Sequence, residues 1–322
     1  MTKNNFIISI LFIAVAASTV CAAPRVEPIR FGNFDSWVER EIKESIIIGG
    51  KEKTLWAVGP TAIIKGNKAY VPQGGSPWAT SNVYARVSGV TKGSNAVYPY
   101  DRGGGQGKAA MLCSQMETVK ALGIIKMDVM VAGSMFLGRM FEPITSTENP
   151  YTKMEVGVPF THRPDAFIID YKVDLPATNT RVRSSGFGHK TTMQGRDTPV
   201  IFVLLQRRWE DAEGNLHAKR VATGGQIFTE ATDWVNGHKI PLVYGDVSAN
   251  PDLKWLGLRK ANAYYARNSK GELRPVIEEG FDTADATPTH AVVMISSGNG
   301  EPYVATPGVT FYVDNAGFYY KE

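Results

Sequence analysis

The sequence is poor in cysteine, and this scarcity decides where its stability must come from. Only Cys21 and Cys113 occur among the 322 residues. Cys21 lies in a predicted cleaved leader, so the mature chain would keep one thiol and no internal disulfide. A chain of this length can instead bury a sizeable core. Cys113 stands in an apolar, strand-like run and is predicted to be a buried, unreactive thiol.

The sequence also lacks clustered basic charge, long apolar runs and common catalytic spacings. Lysine and arginine number 35 against 31 acidic residues, and both signs are spread along the chain, which argues against a nucleic-acid partner. No apolar run reaches the roughly 18 residues of a membrane span. No Gly-x-Ser-x-Gly elbow is present, and the glycine-rich run 103–107 lacks the Lys-Ser/Thr pair of a phosphate loop. The histidines follow no zinc-ligand spacing: His162, His189, His217, His238 and His290.

Residues 1–22 have the pattern of a secretory signal peptide. Lys3 is followed by the apolar run 6–15 and then by small residues. A small-x-small triplet ends at Ala22, which predicts cleavage there or one residue later. Lipidation of Cys21 is the alternative, although a bulky β-branched residue precedes it. The pattern predicts a secreted, periplasmic or cell-surface protein, with cell-envelope association as one option.

After the leader, the pattern predicts one short helix and then a succession of strands. Asp35 or Ser36 can cap a short N-terminal helix, with Glu39 as the capping-box partner. Downstream, short runs rich in Val, Ile, Phe and Tyr alternate with Gly, Pro, Asn and Asp. This spacing predicts an all-β fold, a jelly-roll β-sandwich with long loops. The predicted strands include 108–115, 125–131, 166–173, 200–206, 216–222, 290–296 and 310–313.

One hairpin and one domain division can be placed from the sequence. The strand that starts at Val200 is apolar on both faces, which predicts a central strand covered on both sides. It turns through 212–215, where Gly and Asn supply the positive φ of a tight turn. A weak boundary signal near 90–105 divides an N-terminal elaboration, 23–100, from a jelly-roll domain, 101–322.

Aromatic rings are the first candidate binding groups, since a sugar ring stacks its C–H face on a flat indole or phenol. Trp78 lies in the loop 74–82, which is rich in Gly, Ser and Asn and makes a tryptophan difficult to bury. Trp209, Trp234 and Trp255 also lie near polar or turn residues. The competing interpretation is that each indole plugs an end of the sandwich.

Carboxylates are the second group of candidates. Glycoside hydrolysis needs two carboxyl groups, about 5–5.5 Å apart for retention or about 6.5–9.5 Å apart for inversion. The Glu-x-Asp-x-Glu pattern that jelly-roll glycosidases often carry on one strand is absent. The acidic residues of 210–213 and 278–285 are predicted to be solvated in a turn and a polar loop. A catalytic pair from distant segments stays open.

Asp314 is the predicted metal ligand. It ends an apolar closing strand, where a carboxylate and backbone carbonyls could hold a structural Ca²⁺. A turn-capping carboxylate, bonded to its own backbone, is the favoured alternative. No cofactor is required by any motif.

Several stretches of the chain together resemble one family. They are FGNFDSW at 31–37, SPWATSNVY at 76–84, GSMFLG at 133–138, GVPFTHRP at 157–164, LQRRWED at 205–211, PTH at 288–290 and VDN at 313–315. The chain resembles the PCMD family, named for a putative carbohydrate metabolism domain, of secreted Bacteroidetes proteins. The resemblance implies a jelly roll similar to carbohydrate-binding modules, an envelope or secreted setting, and a role in glycan use. It supplies no catalytic residue.

The sequence therefore predicts a carbohydrate-binding protein whose partner is a glycan. The predicted ligand-binding residues are Trp78, Asn82, Arg163 and Trp209. Arg163 could instead pair with a buried carboxylate. A glycoside hydrolase with two distant carboxylates is the second hypothesis. A structural or adhesive envelope protein is the third, and it predicts an exposed apolar patch or a free edge strand.

Overall fold

The computed structural model describes residues 23–87, 89–121, 125–146, 148–186, 189–261 and 263–321. The predicted leader and the lipidation alternative lie outside the described residues. Regular structure within them is almost entirely β-strand, apart from 3-10 turns at Ile46–Ile48 and Pro150–Lys153. No helix in this part of the chain is long and apolar enough to cross a membrane.

The strands are numbered in chain order. They are β1 (Arg25–Pro28), β2 (Trp37–Lys43), β3 (Glu52–Val58), β4 (Ala62–Lys65), β5 (Trp78–Thr80), β6 (Val83–Val87), β7 (Val90–Ser94), β8 (Val97–Asp101), β9 (Lys108–Ala121), β10 (Ile125–Ala132), β11 (Ser134–Met140), β12 (Met154–Val156), β13 (Val158–Pro159), β14 (Ala166–Asp174), β15 (Thr180–Arg183), β16 (Ser185–Gly186), β17 (Thr191–Gln194), β18 (Val200–Glu210), β19 (Leu216–Ile227), β20 (Thr232–Pro241), β21 (Val243–Tyr244), β22 (Tyr265–Arg267), β23 (Leu273–Phe281), β24 (His290–Ser296), β25 (Val304–Ala305) and β26 (Thr310–Tyr320).

Most of these strands belong to two large sheets. Among the described residues, an eight-stranded sheet has the order β16-β10-β9-β26-β14-β20, with β1 also paired to β26 and β8 to β9. A ten-stranded sheet, counted over the same residues, has the order β13-β24-β18-β19-β23-β22-β12-β11-β5, with β21 paired to β19 and a further pairing of β24 with β11. The chain passes between the sheets repeatedly, from β10 to β11, from β13 to β14 and from β14 to β18, as jelly rolls do.

The main core lies between these two sheets. Alternation along β14 buries Phe167, Ile169 and Val173 completely on one face. Ile201 and Val203 of β18 contribute to the same core from the ten-stranded sheet. The predicted all-β sandwich is therefore confirmed.

The predicted hairpin is confirmed as well. Strand β18 lies between β24 and β19, and its turn closes with a hydrogen bond from the backbone N–H of Asp211 to the carbonyl of Asn215 (3.0 Å). Phe202 and Leu204, on the face opposite the main core, belong to a second buried cluster. The strand is covered on both faces because this second cluster packs on its outer side.

The predicted N-terminal helix is wrong, because Trp37–Lys43 forms the strand β2. This strand pairs antiparallel with β3 and parallel with β4. Val38, Arg40 and Ile42 are buried at alternate positions, which is the period of a strand. Asp35 accepts a backbone N–H from the start of β9 (2.8 Å) instead of capping a helix. Pairing on both sides outweighs the local capping preference.

The small β2–β3–β4 sheet is joined to the rest of the chain through the core and through a buried ion pair. Phe34 and Trp37 belong to the main core. Arg40 Nη2 lies 2.5 Å from the carboxylate of Glu142, and both side chains are almost fully buried. That carboxylate also accepts the backbone N–H of Tyr70 and of Tyr84. The division of the chain at residue 100 stays a prediction.

Cys113 is half-buried, not fully buried as predicted. It lies on β9, opposite Thr310 of β26. Burial raises the pKa of its thiol, which keeps the sulfur protonated at neutral pH. An unreactive thiol remains the interpretation that fits this environment.

Candidate functional site

Trp78 lies in the core rather than on a ligand-accessible surface. Its side chain is only 1% exposed, and its indole N–H donates to the carbonyl of Arg30 (3.1 Å). Phe34 meets the indole edge-on, with ring centroids 5.2 Å apart. The surrounding loop is polar, but β5 carries the indole inward. In this conformation the ring offers no face to a dissolved sugar, so the structure contradicts the expected exposed platform.

Asn82 is also buried, and its amide is fully occupied. Its Nδ2 donates to the carbonyls of Trp56 (2.8 Å) and Val97 (2.6 Å). Its Oδ1 accepts the backbone N–H groups of Ala96 (2.8 Å) and Val97 (2.9 Å). The side chain therefore joins β3 to the start of β8 and has no donor left for a ligand.

Arg163 holds a loop through backbone carbonyls. Its guanidinium donates to the carbonyls of Ala284 (2.6 Å) and Ala286 and lies over the ring of Tyr244, 4.2 Å from the centroid. A buried carboxylate was one of the two partners predicted for Arg163, and the guanidinium contacts backbone carbonyls instead. A contact with a ligand hydroxyl stays a prediction.

Trp209 keeps an accessible surface, with 36% of the residue exposed. Its indole stacks on His217, with ring centroids 5.5 Å apart and 18° between the planes. Asp211 lies 3.0 Å from Nε2 of this histidine and Glu279 lies 2.7 Å from Nδ1. The hydrogen bond to Asp211 is the main cause that raises the pKa of His217. The four predicted ligand-binding residues thus occupy the core, a loop and a hairpin instead of one cleft.

A different group of side chains converges on the outer face of the eight-stranded sheet, opposite the main core. Arg102 follows β8, and its Nη1 donates to Asp170 (3.1 Å) and Asp314 (2.6 Å). Its Nη2 donates to Asn236 of β20 (2.9 Å). The side-chain Nδ2 of Asn315 also donates a hydrogen bond to Asp170 (2.8 Å). One guanidinium thereby ties together three neighbouring strands.

Aromatic rings flank this guanidinium. The central carbon of Arg102 lies 3.9 Å from the ring centroid of Trp234, a cation–π contact. Tyr312 meets Trp234 edge-on at 6.3 Å and Tyr100 at 4.6 Å. Trp234 and Tyr100 are half-buried, so each residue keeps some contact with solvent. We call the following residues the outer-face cluster: Tyr100, Arg102, Asp170, Trp234, Asn236, Tyr312, Asp314 and Asn315.

Asp314, one of the two carboxylates of the outer-face cluster, has a raised pKa. Burial raises the pKa of Asp314 to about 6, although its bonds to Arg102 and to the backbone N–H of Asn315 act in the opposite direction. The nearby charge of Asp170 adds to the rise. Arg102 Nη1 touches one oxygen of each carboxylate, at 3.1 and 2.6 Å, so these two oxygens lie within about 6 Å of each other, near the separation found in retaining glycosidases.

At the predicted calcium site, the carboxylate of Asp314 is already hydrogen-bonded within the protein. Its side-chain oxygens are already engaged by Arg102 and the backbone of Asn315. No group of three or more His, Cys, Asp or Glu side chains among the described residues is placed to hold a metal ion. A cation would have to displace the guanidinium, and calcium binding at Asp314 stays a prediction.

One acidic residue that was expected to be solvated is buried. Glu278 lies in β23 with no exposed side chain and pairs with Arg220 of β19, which is also fully buried. Gln206 and the backbone N–H of Arg259 donate to the same carboxylate, at 2.6 and 2.7 Å. Because every oxygen is paired inside the protein, Glu278 is a structural carboxylate.

The outer-face cluster was not predicted as a group from the sequence, although Asp314 was singled out as a possible metal ligand. The alternation of residues in two strands is a sequence pattern that indicates part of the cluster. In β14, apolar residues alternate with Asp170 and Lys172, and in β26 Tyr312 and Asp314 alternate with the apolar Phe311 and Val313. That period of two marks a polar face on each strand. Nothing in the sequence shows that β14 and β26 are neighbours, or that Arg102 reaches them both.

The fold and this site define a β-sandwich with an aromatic and acidic outer face. The sequence profile of the family described as "Putative carbohydrate metabolism domain" (PCMD) matches residues 54–249. The chain belongs to this family. No curated protein matches it. Among solved structures, a "putative glycoside hydrolase" from Bacteroides thetaiotaomicron is similar, with 13% sequence identity and a TM-score of 0.44 over 84% of this chain and 75% of that chain.

Proposed function

We propose that the protein binds a glycan on the outer face of the eight-stranded sheet. The observation that carries the proposal is the stacking of Arg102 on Trp234 while the same guanidinium holds Asp170 and Asp314. Such packing fixes a flat polar group beside two half-buried aromatic residues, Trp234 and Tyr100. Membership of a family named for carbohydrate metabolism supports a sugar as the ligand.

The chemistry of this face suits a sugar ring. The half-buried rings of Trp234 and Tyr100 can contact its apolar C–H face. Asn236 and Asn315 are exposed, and their amides can both donate and accept hydrogen bonds. Arg102 also has a buried Nε without a hydrogen-bond partner in the described part of the chain. A bound hydroxyl or an ordered water would satisfy that donor.

A glycan array followed by calorimetry tests this proposal on the mature chain. We expect binding to at least one glycan and a loss of about tenfold or more in affinity for Trp234→Ala, the size expected for a buried aromatic contact. Trp255→Ala is the matched control, because Trp255 is 40% exposed and lies outside the outer-face cluster. Trp209→Ala tests the hairpin site predicted from sequence.

The three tryptophan variants separate the possible outcomes. Weakened binding in Trp234→Ala alone supports the outer face. Weakened binding in Trp209→Ala alone would move the site to the hairpin and overturn the assignment. The absence of binding to any glycan would favour the structural or adhesive alternative.

Glycoside hydrolysis is the second candidate, favoured by the close pair of Asp170 and Asp314. In a retaining reaction, Asp314 with its raised pKa would protonate the leaving oxygen and Asp170 would act as the nucleophile. Both side chains lie beneath Arg102 and are mostly buried, so a substrate would have to displace the guanidinium. Binding without cleavage therefore fits the described geometry better.

Product analysis on each glycan that binds decides between these two functions. Release of reducing sugar by the wild type, lost in both Asp170→Asn and Asp314→Asn, would establish the hydrolase. Unchanged glycan after prolonged incubation would support a binding protein. We also propose export through the predicted leader, which N-terminal sequencing of the secreted protein would test.

A further inference from the structure

A large cavity lies against the face of the ten-stranded sheet that is opposite the main core. Its volume is about 750 Å³. Val200 and Phe202 of β18 and Met294 of β24 line it, as do Leu256 and Tyr264 from the segment that follows β21. Side chains of the β6–β7 hairpin and of β9 and β10 complete a mostly apolar wall. This size and lining are typical of small-molecule sites.

The charged groups of the cavity are not balanced. Its charged lining residues are Lys92, Lys153, Arg259, Glu117 and Glu301. Lys92 lies 3.9 Å from Glu117, and Glu301 pairs at 2.7 Å with Arg183, outside the cavity. Over the residues that the structure describes, no carboxylate contacts the guanidinium of Arg259 or the ammonium of Lys153. The cavity therefore carries an excess of positive charge.

Arg259 is held in the cavity by aromatic rings. Its central carbon lies 5.3 Å from the ring centroid of Phe202 and 4.7 Å from that of Tyr264. Contacts with ring faces fix the guanidinium but leave its N–H donors free for an anion. Burial raises the pKa of Tyr264 and of Tyr303, which also lines the cavity, to about 12. Both hydroxyls stay protonated and can donate as well.

We infer that this cavity binds an amphiphile with an apolar chain and one carboxylate headgroup, which Arg259 receives. The apolar walls would bury the chain, and burial of apolar surface is favourable in water. A glycan would leave hydroxyl groups unpaired against these walls, at a cost in free energy. A cationic headgroup would meet the uncompensated positive charge. The inference is independent of the glycan site, which lies on the other large sheet.

Calorimetric titration of the mature chain with dodecanoate, below its micellar concentration, tests the inference. We expect one site per chain and no comparable binding of dodecyltrimethylammonium, which has the same chain and the opposite charge. Arg259→Gln should weaken dodecanoate by about tenfold, the value of one charge-assisted hydrogen bond. Arg267→Gln is the matched control, since Arg267 also stacks on an aromatic ring but does not line the cavity.

A second variant tests whether the ligand binds in the cavity, by filling part of the cavity with a larger side chain. Ala85 lines the cavity and is half-buried, so Ala85→Trp should fill part of the space and abolish binding. Circular dichroism and thermal unfolding establish whether each variant is folded. If Ala85→Trp does not fold, the comparison of Arg259→Gln with the wild type still decides the test. Equal binding of the cationic amphiphile, equal affinity in Arg259→Gln, or no binding of dodecanoate to the wild type would overturn the inference. A stoichiometry of several molecules per chain would indicate nonspecific adsorption and would also overturn it.

Discussion

Individual side chains in this protein take roles that their sequence neighbours do not reveal. Asn82 stands in a polar loop like a ligand-binding amide, yet it uses both its oxygen and its nitrogen on backbone groups. Trp209 has the exposure that a binding residue needs, but its indole stacks on the imidazole of His217. At this scale, the partner of each polar atom decides the role.

Asn82→Asp should destabilise the protein strongly. The substitution keeps the shape but points a carboxylate oxygen at the carbonyls of Trp56 and Val97, where an N–H₂ group now donates. We expect the free energy of unfolding to fall by about 3 kcal/mol, because two buried acceptors lose their donor and a charge is buried unpaired. Urea unfolding measures the change, and Asn299→Asp, at an exposed loop position, is the comparison. A loss below about 1 kcal/mol would contradict the structural role of Asn82.

The fluorescence of Trp209 should titrate with His217. A protonated imidazole quenches a stacked indole, and the pKa of His217 is raised above its ordinary value of 6.5 by Asp211 and Glu279. Emission should therefore rise as the pH increases, with a midpoint above 6.5. The stabilisation from this raised pKa is fully present below pH about 6.5 and is lost as the pH rises through the folded-state pKa.

Two variants check this assignment. Asp211→Asn should shift the midpoint to lower pH, because the largest cause of the raised pKa is removed. Trp209→Phe should remove the transition from the emission profile. A midpoint that does not move in Asp211→Asn would show that the hydrogen bond to His217 is not formed.

Whole strands are held in register by buried polar groups as well as by apolar packing. Strands β19 and β23 are parallel neighbours, and Arg220 and Glu278 pair between them without any exposure. The guanidinium also donates to the carbonyls of Leu256 (2.8 Å) and Gly257 (3.1 Å). This pair therefore fastens the 256–259 segment, part of the cavity wall, to the ten-stranded sheet.

Glu278→Gln should cost about 3–5 kcal/mol of unfolding free energy, since it leaves the charge of Arg220 buried without a counter-ion. Glu272→Gln is the matched control, because Glu272 pairs with Arg274 at an exposed position and should change stability by less than about 1 kcal/mol. Chemical denaturation measures both values. Similar small losses in the two variants would mean that the buried pair contributes no more than a surface pair.

At the scale of the whole molecule, the N-terminal sheet and the sandwich share one core. Phe34, Trp37 and Val58 pack in the same cluster as Leu112 and Val203. The buried pair of Arg40 and Glu142 adds a polar connection across more than a hundred residues of chain. These contacts predict that the N-terminal segment does not unfold separately.

Glu142→Gln should lower the stability of the entire molecule rather than release the N-terminal sheet alone. The expected loss is about 3–5 kcal/mol, because Arg40 would stay buried without its carboxylate. Tryptophan fluorescence and far-UV circular dichroism should still report one coincident unfolding transition. Glu301→Gln, in an exposed pair, should leave the transition in place. Two separate transitions would show that residues 23–100 form an independently unfolding unit.

The sequence by itself determined the all-β class, the central position of β18 and the hairpin that turns through 212–215. Alternation of apolar residues and turn-forming Gly and Asn are local properties, so one strand is enough to reveal them. The motifs that resemble the PCMD family are also visible in short stretches of the sequence. The burial of Trp78 and Asn82 could not be predicted from such stretches, because it depends on which strands lie above them.

Only the tertiary structure decided that Trp37–Lys43 is a strand, because its pairing partners lie elsewhere in the chain. It also brought Arg102, Asp170 and Asp314 together, from positions as far as 212 residues apart. The same holds for the cavity, whose wall combines at least three separate segments with the charge of Arg259. Sites of this kind arise from contacts between distant segments, and no local pattern encodes which segments will meet.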